Sequence, residues 1–318
     1  MAKKLKVAFL CYGFGTVNRG VETYVGELTK RLQRNFEITI LSGEDSENLQ
    51  KIVKGNFDLV IPTNGRMQAL KASIGRFTGK YKLLIPGQSG IGRDDIWNIL
   101  ICVPDIYVAL TDHEANWAQK WAWKTRLVKI PNGVDLVKFN PQGRKIDINL
   151  PKPIVLSVGA LEWYKHHALA IEALSKLDQG SLLIIGAGSE LENLNKLGQE
   201  KLSGRFKIIS VKFEEIPDYY RSADLFTLPS WDRESFGIVY VEAMASGLPV
   251  VGPDDSSRRE IINKAGILTD VNDGNKYAEA IKKALAKKWG QIPRQQAEKF
   301  SWDKIADEYK KLIEEICG

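Results

Sequence analysis

Twelve short apolar runs, separated by stretches long enough for helices, dictate most of what this chain can fold into. The first series is KVAFLCY (6–12), FEITILS (36–42), DLVIPT (58–63), KLLIP (82–86), DIYVAL (105–110) and RLVKI (126–130). The second is IVLSVG (154–159), SLLIIG (181–186), FKIIS (206–210), DLFTLP (224–229), PVVG (249–252) and AGILT (265–269). Runs that are apolar throughout, not at alternate positions, suit strands covered on both faces. Strands interleaved with helical segments such as VETYVGELTKRL (21–32) and HALAIEALSKL (167–177) imply parallel sheets, so the fold class is α/β.

The length of 318 residues suits about two domains. Residues 139–153, FNPQGRKIDINLPKP, break the rhythm with Pro141, Gly143, Pro151 and Pro153. The junction is expected there, between an N-terminal domain over 1–145 and a C-terminal domain over 150–300. The closing segment SWDKIADEYKKLIEEIC (301–317) reads as a helix. Ser301 is its N-cap, and Trp302, Ile305, Tyr309, Leu312, Ile313 and Ile316 form one apolar face.

Ligands of such sheets bind at the carboxyl ends of strands, and with two domains the cleft between them is the default site. The net charge of +6 fits phosphorylated substrates, an anionic membrane surface or nucleic acid. The basic residues are spread along the chain and no nucleic-acid-binding signature is present, so nucleic acid is set aside. Cys11, Cys102 and Cys317 fit no metal spacing and read as reduced thiols of a cytoplasmic protein. No signal peptide is recognised, and no run approaches the roughly 20 apolar residues of a membrane span. Peripheral contact with the inner face of a membrane stays open.

Four segments after strands carry candidate chemistry. In WDRESFGIVYVEAMASGLPVV (231–251), Ser235 can cap a helix starting near Phe236, and Gly237 opens its first turn. Free amides there suit a phosphate. Glu234 and Glu242 cannot help a phosphate but can accept hydrogen bonds from sugar and ribose hydroxyls. An ordinary amphipathic helix with one exposed Glu fits that segment equally well. In VGALEWYKHHALAIEAL (158–174), Gly159 ends a strand and Lys165 can reach a diphosphate as a mobile charge. A solvated surface lysine is the plainer reading, and adjacent His166 and His167 make a poor metal pair.

The turn GAG, with Gly186 and Gly188, has Leu191 where a dinucleotide fingerprint needs a third glycine. GFGTVNRG, with Gly13, Gly15 and Gly20, also misses that spacing. Both offer backbone amides, and both fit a tight turn without ligand. PNGVD (131–135) reads as a structural turn. WAQKWAWK (117–124) places Trp117 and Trp121 on one helix face. Core packing with snorkelling Lys120 and Lys124 is preferred to a membrane surface.

Taken in order, these segments resemble the retaining glycosyltransferases of family 4, which have the GT-B fold of two facing Rossmann-like domains. RGVETYV (19–25) looks like the family's glycine–glutamate segment, and IPNGVDLVKF (130–139) is similar to its segment before the linker. VGALEWYKHHALAIEAL resembles the glycine–lysine donor motif. ESFGIVYVE (234–242), followed by AMASGLPVV, matches the Glu-x7-Glu signature. SWDKIADEY (301–309) looks like the closing helix that crosses back to the N-terminal domain. The resemblance implies a hexosyltransferase that moves a sugar from a nucleotide-diphosphate sugar to a glycan, lipid-linked or small-molecule acceptor. It implies retention at the anomeric carbon, no metal, and no cofactor beyond the co-substrate. Glu234 would contact the donor sugar, Glu242 the ribose, and Lys165 the leaving diphosphate. The amides near Phe236 and Gly237 and the loop from Gly13 to Gly20 would cradle the phosphates.

Two positions depart from the family. Its arginine five residues before the lysine is Ala160 here, so Arg233 is the candidate replacement and Lys212 the second. Its histidine in the N-terminal domain falls within IPGQSGIGRDD (85–95). There Gln88 is the candidate stand-in, unable to act as a base, with Arg93, Asp94 or Asp95 for the acceptor. These departures also admit a weak or inactive nucleotide-sugar binder. A sugar-nucleotide epimerase is a further alternative. A metal-dependent transferase of the other common class is disfavoured, because no Asp-x-Asp triplet occurs.

Overall fold

A computed structural model describes residues 4–17, 19–63, 65–231 and 234–318. All twelve apolar runs become strands, with ends within two residues of those expected. They are β1 (Lys6–Leu10), β2 (Glu37–Leu41), β3 (Leu59–Pro62), β4 (Lys82–Pro86), β5 (Ile106–Ala109), β6 (Arg126–Lys129), β7 (Ile154–Val158), β8 (Ser181–Ile185), β9 (Phe206–Ile209), β10 (Leu225–Thr227), β11 (Val250–Pro253) and β12 (Gly266–Thr269). The first unit carries helices α1 (Gly20–Leu32), α2 (Leu49–Lys54), α3 (Arg66–Gly79), α4 (Arg93–Leu100) and α5 (Asp112–Ala118). The second carries α6 (His167–Ser175), α7 (Leu191–Lys201), α8 (Ile216–Ser222), α9 (Ile238–Ala245), α10 (Ser256–Ile262), α11 (Gly274–Ala286) and α12 (Ile292–Ala297). The closing helix is α13 (Trp302–Cys317).

The strands form two parallel six-stranded sheets, ordered β2-β1-β3-β4-β5-β6 and β12-β11-β10-β7-β8-β9. In the first, Val7 pairs with both Ile38 and Leu59; in the second, Val155 pairs with Leu182 and Leu225. The strand order reverses between β1 and β3, and again between β10 and β7. Crevices outside the carboxyl ends of strands at such reversals are where ligands of these sheets bind.

The chain groups into two compact units. One comprises Met1–Gly133, Arg233–Phe236 and Ser301–Gly318; the other comprises Val134–Asp232 and Gly237–Phe300. The grouping changes at Val134, ahead of the Pro- and Gly-bearing segment expected to be the junction. That segment folds on the second unit: Arg221 Nε donates to the Arg144 carbonyl, and the Ile146 amide donates to Ser222 Oγ.

In the first unit alternate strand residues serve opposite layers. Val7 and Phe9 pack with Tyr24, Val25 and Leu28 of α1 and with Trp302, Ile305, Tyr309 and Ile313 of α13. Ala8 and Leu10 pack with Ile52 of α2, Ala69 and Ala72 of α3, Ile99 of α4 and Ala118 of α5. Trp117 and Trp121 lie half-buried against that second cluster, while Trp123 is exposed under the Lys124 ammonium. In the second unit Val155, Leu182, Leu225 and Val251 pack with Ala170, Ile171 and Leu174 of α6 and Tyr277 and Ile281 of α11. Among the described residues, no helix is long and apolar enough to cross a membrane.

Candidate functional site

The second unit brings two of the expected segments to one place because β7 and β10 are parallel neighbours at the reversal of strand order. The loop after β7 runs through Gly159 and Ala160 into a short 3-10 turn, Trp163–Lys165, just before α6. The loop after β10 leads to α9. The two loops are stitched together: the Trp231 amide donates to the Tyr164 carbonyl at 3.1 Å. Tyr164 and Trp231 have ring centroids 5.5 Å apart, and Trp163 meets both rings edge-on. The Trp231 carbonyl in turn accepts from Arg258 Nη2 at 2.9 Å. Lys165 is half-buried here, its Nζ 5.6 Å from the Tyr164 ring centroid.

Gly237 is the N-cap of α9, with φ +79°, a left-handed conformation open to glycine at little cost. The helix therefore starts two residues later than expected, at Ile238, and Gly237, not Ser235, holds the N-cap. With no side chain to cap it, the first turn keeps amides for an anion. Glu234 and Ser235 are half-buried in the preceding loop, and Phe236 is buried. Glu242, in the second turn of α9, is buried and accepts from Tyr220 Oη at 3.2 Å. Burial pushes its carboxyl up to about 7, opposed by the Tyr220 hydrogen bond and the nearby Lys138 ammonium. Lys138 Nζ stands 3.4 Å from the Phe213 ring centroid.

His167 explains how the β7 loop keeps its shape. Its Nε2 lies 3.3 Å from the Ala160 carbonyl, which can only accept, so Nδ1 accepts from Ser157 Oγ at 3.1 Å. Burial lowers its pKa to about 4, so the ring is neutral. It is a core histidine that fixes the residue standing where the family carries arginine. Gly186 and Gly188 are explained by packing: a Cβ on either would overlap the carbonyl oxygen of Gly159 or Leu161. The GAG turn is thus glycine-bearing because the β7 loop lies against it. Lys212 is exposed, with its amide donating to Glu215 Oε2. Arg233 lies outside the described residues.

In the first unit, Gly13 and Gly15 form a tight turn after β1, Gly15 at φ +85°. Gly20 is the first residue of α1. Beneath the turn lies buried Glu22, its Oε1 4.0 Å from Cys11 Sγ. A carboxyl group so close works against a phosphate and in favour of hydroxyl ligands.

Gln88 follows β4. Its Nε2 donates to Asn132 Oδ1 at 2.9 Å, and Asn132 Nδ2 donates back to Gln88 Oε1 at 3.1 Å. Asn132 belongs to PNGVD, so that turn does more than turn: it orients the residue standing in for the family histidine. The preceding Gly87 has no room for a Cβ, which would overlap Glu114 Oε1 and Tyr107 Oη. Tyr107 Oη donates to Glu114 Oε1 at 2.7 Å, and the Leu110 amide to Oε2 at 2.9 Å.

Asp95 corrects the sequence expectation. It is fully buried, accepts from Asn98 Nδ2 and faces the Tyr107–Glu114 cluster, not an acceptor at the surface. As the third residue of α4 it falls on the helix face turned to the sheet. Burial pushes it up to about 7, with the neighbouring Asp94 carboxylate raising it further, and pushes Glu114 well above the usual carboxylate range, with Asp95 raising it further. Arg93 and Asp94 remain exposed, Asp94 paired with Arg66.

Asn132, Lys138, Tyr220 and the pair Tyr164–Trp231 stand against the candidate residues, and the sequence reading gave them no part in the site. Their partners stand tens of residues away, and no local spacing announces them. Among the described residues no group of three or more His, Cys, Asp or Glu is placed to hold a metal ion.

The family model described as "Glycosyl transferases group 1" matches residues 139–301, about half of the chain and nearly all of the second unit. The chain belongs to the group 1 glycosyltransferases. Among the curated relatives of this family member, a phosphatidyl-myo-inositol mannosyltransferase of Mycolicibacterium smegmatis is 31% identical. That alignment covers 66% of this chain and 57% of the relative. The chain spans about half the length of the curated relatives it matches first. Among solved structures, sucrose-phosphate synthase from Thermosynechococcus elongatus superposes with a TM-score of 0.85. It is 20% identical and covered to 99%, as is this chain. Anabaena HepE in complex with UDP-glucose gives a TM-score of 0.80 at 17% identity, covering 98% of this chain and 100% of that one. These likenesses confirm the GT-B fold that the motifs implied.

Proposed function

We propose that this family member transfers a hexosyl group from a nucleotide-diphosphate sugar to a hydroxyl of a glycan, lipid-linked or small-molecule acceptor. The reading includes retention at the anomeric carbon and needs no metal. One observation carries it: Lys165 and the uncapped start of α9 stand on loops after adjacent strands at the reversal of strand order, and those loops are hydrogen-bonded together. The bond from the anomeric carbon to the phosphate oxygen breaks as charge builds on the departing diphosphate. A fixed ammonium and oriented amides stabilise that charge with little reorganisation. Glu242, buried behind the first turn of α9, is suited to accept from ribose hydroxyls, and Glu234 from the donor sugar. In the first unit Gln88, held by Asn132, offers a fixed amide on the acceptor side, with Arg93 and Asp94 beside it in sequence. Asp95 is left out of that set. The UDP-glucose bound by Anabaena HepE and the name of the mycobacterial relative support a nucleotide-sugar donor and a lipid-linked acceptor.

Lys165→Ala is the direct test, with slow hydrolysis of UDP-sugars and GDP-sugars followed by chromatography. Turnover should fall at least about tenfold, the low side of losses for one charge-stabilising donor. Near-wild-type turnover would remove Lys165 from the chemistry. Ala160 and Gln88 favour one second reading, a nucleotide-sugar binder without turnover. It predicts that UDP or GDP raises the melting temperature while no sugar nucleotide is hydrolysed or transferred.

A further inference from the structure

We propose that the outer face of α3, with the end of α4, docks this protein on an anionic lipid surface. Helix α3 is built inside out. It turns Gln68, Ala69, Ala72, Ser73 and Gly75 toward the interior. On the opposite side, at helical spacing, stand Met67, Ile74 and Phe77. Phe77 is 79% exposed, Ile74 49% and Met67 48%. An amphipathic helix of a water-soluble domain ordinarily does the reverse.

Helix α4 lies alongside and extends the face. Arg66 at the start of α3 pairs with Asp94 and sits over the Trp97 ring, 5.7 Å from its centroid. Ser73 Oγ donates to the Cys102 carbonyl and Arg76 Nη1 to the Val103 carbonyl. Ile101, at the end of α4, is 53% exposed. Large apolar side chains exposed together on one helix face mark an interaction site.

Charge names the occupant. From residue 59 to residue 93 the chain has no Asp or Glu, but has Arg66, Lys71, Arg76, Lys80, Lys82 and Arg93. Arg66 and Lys71 flank the apolar stripe on its two sides at helical spacing. Their partners Asp94 and Glu47 belong to exposed or half-exposed pairs, which are weak in water and readily exchanged for lipid phosphate. Apolar side chains framed by Lys and Arg are the pattern of helices that lie in the headgroup region. Two copies of this chain meeting through the same face would bring like charges together, which disfavours self-association.

The test is co-sedimentation of the whole protein with vesicles of phosphatidylcholine alone and with added phosphatidylglycerol, at low and high salt. The protein should pellet with the anionic vesicles only, less so in high salt. Ile74→Ser with Phe77→Ser should weaken that binding at least about fivefold, given the loss of buried apolar side chains. Lys71→Glu, a charge-only variant, should weaken it in the same direction. Ile74 and Phe77 are exposed, so the melting temperature of the double variant and any UDP-induced rise should match wild type; Lys71 is half-buried beside Glu47, so the melting temperature of Lys71→Glu is read alongside its binding. Failure of the wild type to bind anionic vesicles would overturn the proposal, as would binding that survives the double substitution. A dimer in sedimentation velocity that the double substitution dissolves would give the face to a second copy and also overturn it. Absence of a UDP-induced rise in wild type would count against the donor site alone, not against this face.

Discussion

Glu242 is a carboxyl placed where its own ionisation opposes folding. Its pKa stands near 7 in the folded protein against about 4.5 when solvated. The folded state therefore holds the proton over a range where the unfolded chain has lost it. Folding is not penalised below about pH 4.5, loses stability as pH rises from there to about 7, and carries the full penalty above. Glu242→Gln keeps an oxygen for Tyr220 and cannot ionise. Relative to wild type, its unfolding free energy should shift in its favour by about 2–3 kcal/mol between pH 4.5 and pH 8, read from urea unfolding. An unchanged difference across that range would mean the wild-type carboxyl is already relieved by solvent or by Lys138. The same variant should lose part of the melting-temperature rise given by UDP. Selection for a ribose-binding group would explain why so costly a carboxyl is kept. At this scale the sequence was informative where spacing along one segment carries the chemistry. Lys165, Glu234 and Glu242 became candidates that way. It was uninformative where two side chains meet across the fold, as Gln88 with Asn132 and Tyr220 with Glu242 do. Asp95 misled because an acidic residue in a Gly- and Arg-bearing loop reads as surface. Only the helix that begins at Arg93 decides which of Asp94 and Asp95 is turned inward.

At the scale of elements, all twelve strands were legible because burial on both faces demands uninterrupted apolar runs, and little else in a sequence looks like that. Helix starts were less legible, because they depend on the dihedral angle of one residue. The candidate phosphate site shows why this matters. Ser235 has the chemistry of a cap, yet the chain turns at Gly237 in the left-handed region, and α9 begins at Ile238. Gly237→Ala should therefore act twice. Forcing a Cβ into that conformation costs about 1–2 kcal/mol of stability, visible as a lowered melting temperature. Relief of that strain would also reorient the first amides of α9, so UDP should stabilise the variant less than it stabilises wild type. A variant with the lower melting temperature but the full UDP-induced rise would show that those amides do not hold the phosphates. The same reasoning explains the loop after β7. The turn Trp163–Lys165 ends at His166 in the left-handed region, and buried His167 ties the loop back through Ala160. A reading by residue type finds two adjacent histidines that make a poor metal pair and offers no further reason for them. The element they begin explains them as a corner and its anchor.

At the scale of the whole chain, the two units are not successive pieces of sequence, and stability should reflect that. The first unit is closed by α13, the last sixteen-residue helix, more than 160 residues after its sixth strand. Trp302 is fully buried against Tyr24, with ring centroids 6.1 Å apart, and Gly133 has no Cβ because the indole occupies that space. Tyr24 Oη donates to Tyr309 Oη at 2.9 Å, and Arg126 grips Glu315 through two hydrogen bonds at the surface. Removing residues 301–318 would strip one layer from the first sheet and expose Phe9, Tyr24, Val25 and Leu28. Deletion of one buried aromatic alone costs about 3–5 kcal/mol, against a total domain stability of about 5–15 kcal/mol. A chain ending at Phe300 should therefore retain a cooperative unfolding transition for the second unit only. The first unit should exchange its amide protons freely and be cut by protease within residues 1–133. Trp302→Ala should show the same pattern in weaker form, as an early transition in urea that precedes that of the second unit. If instead the truncated chain unfolds in one transition with wild-type amplitude, the layer supplied by α13 is dispensable, and the core of the first unit must be complete without it.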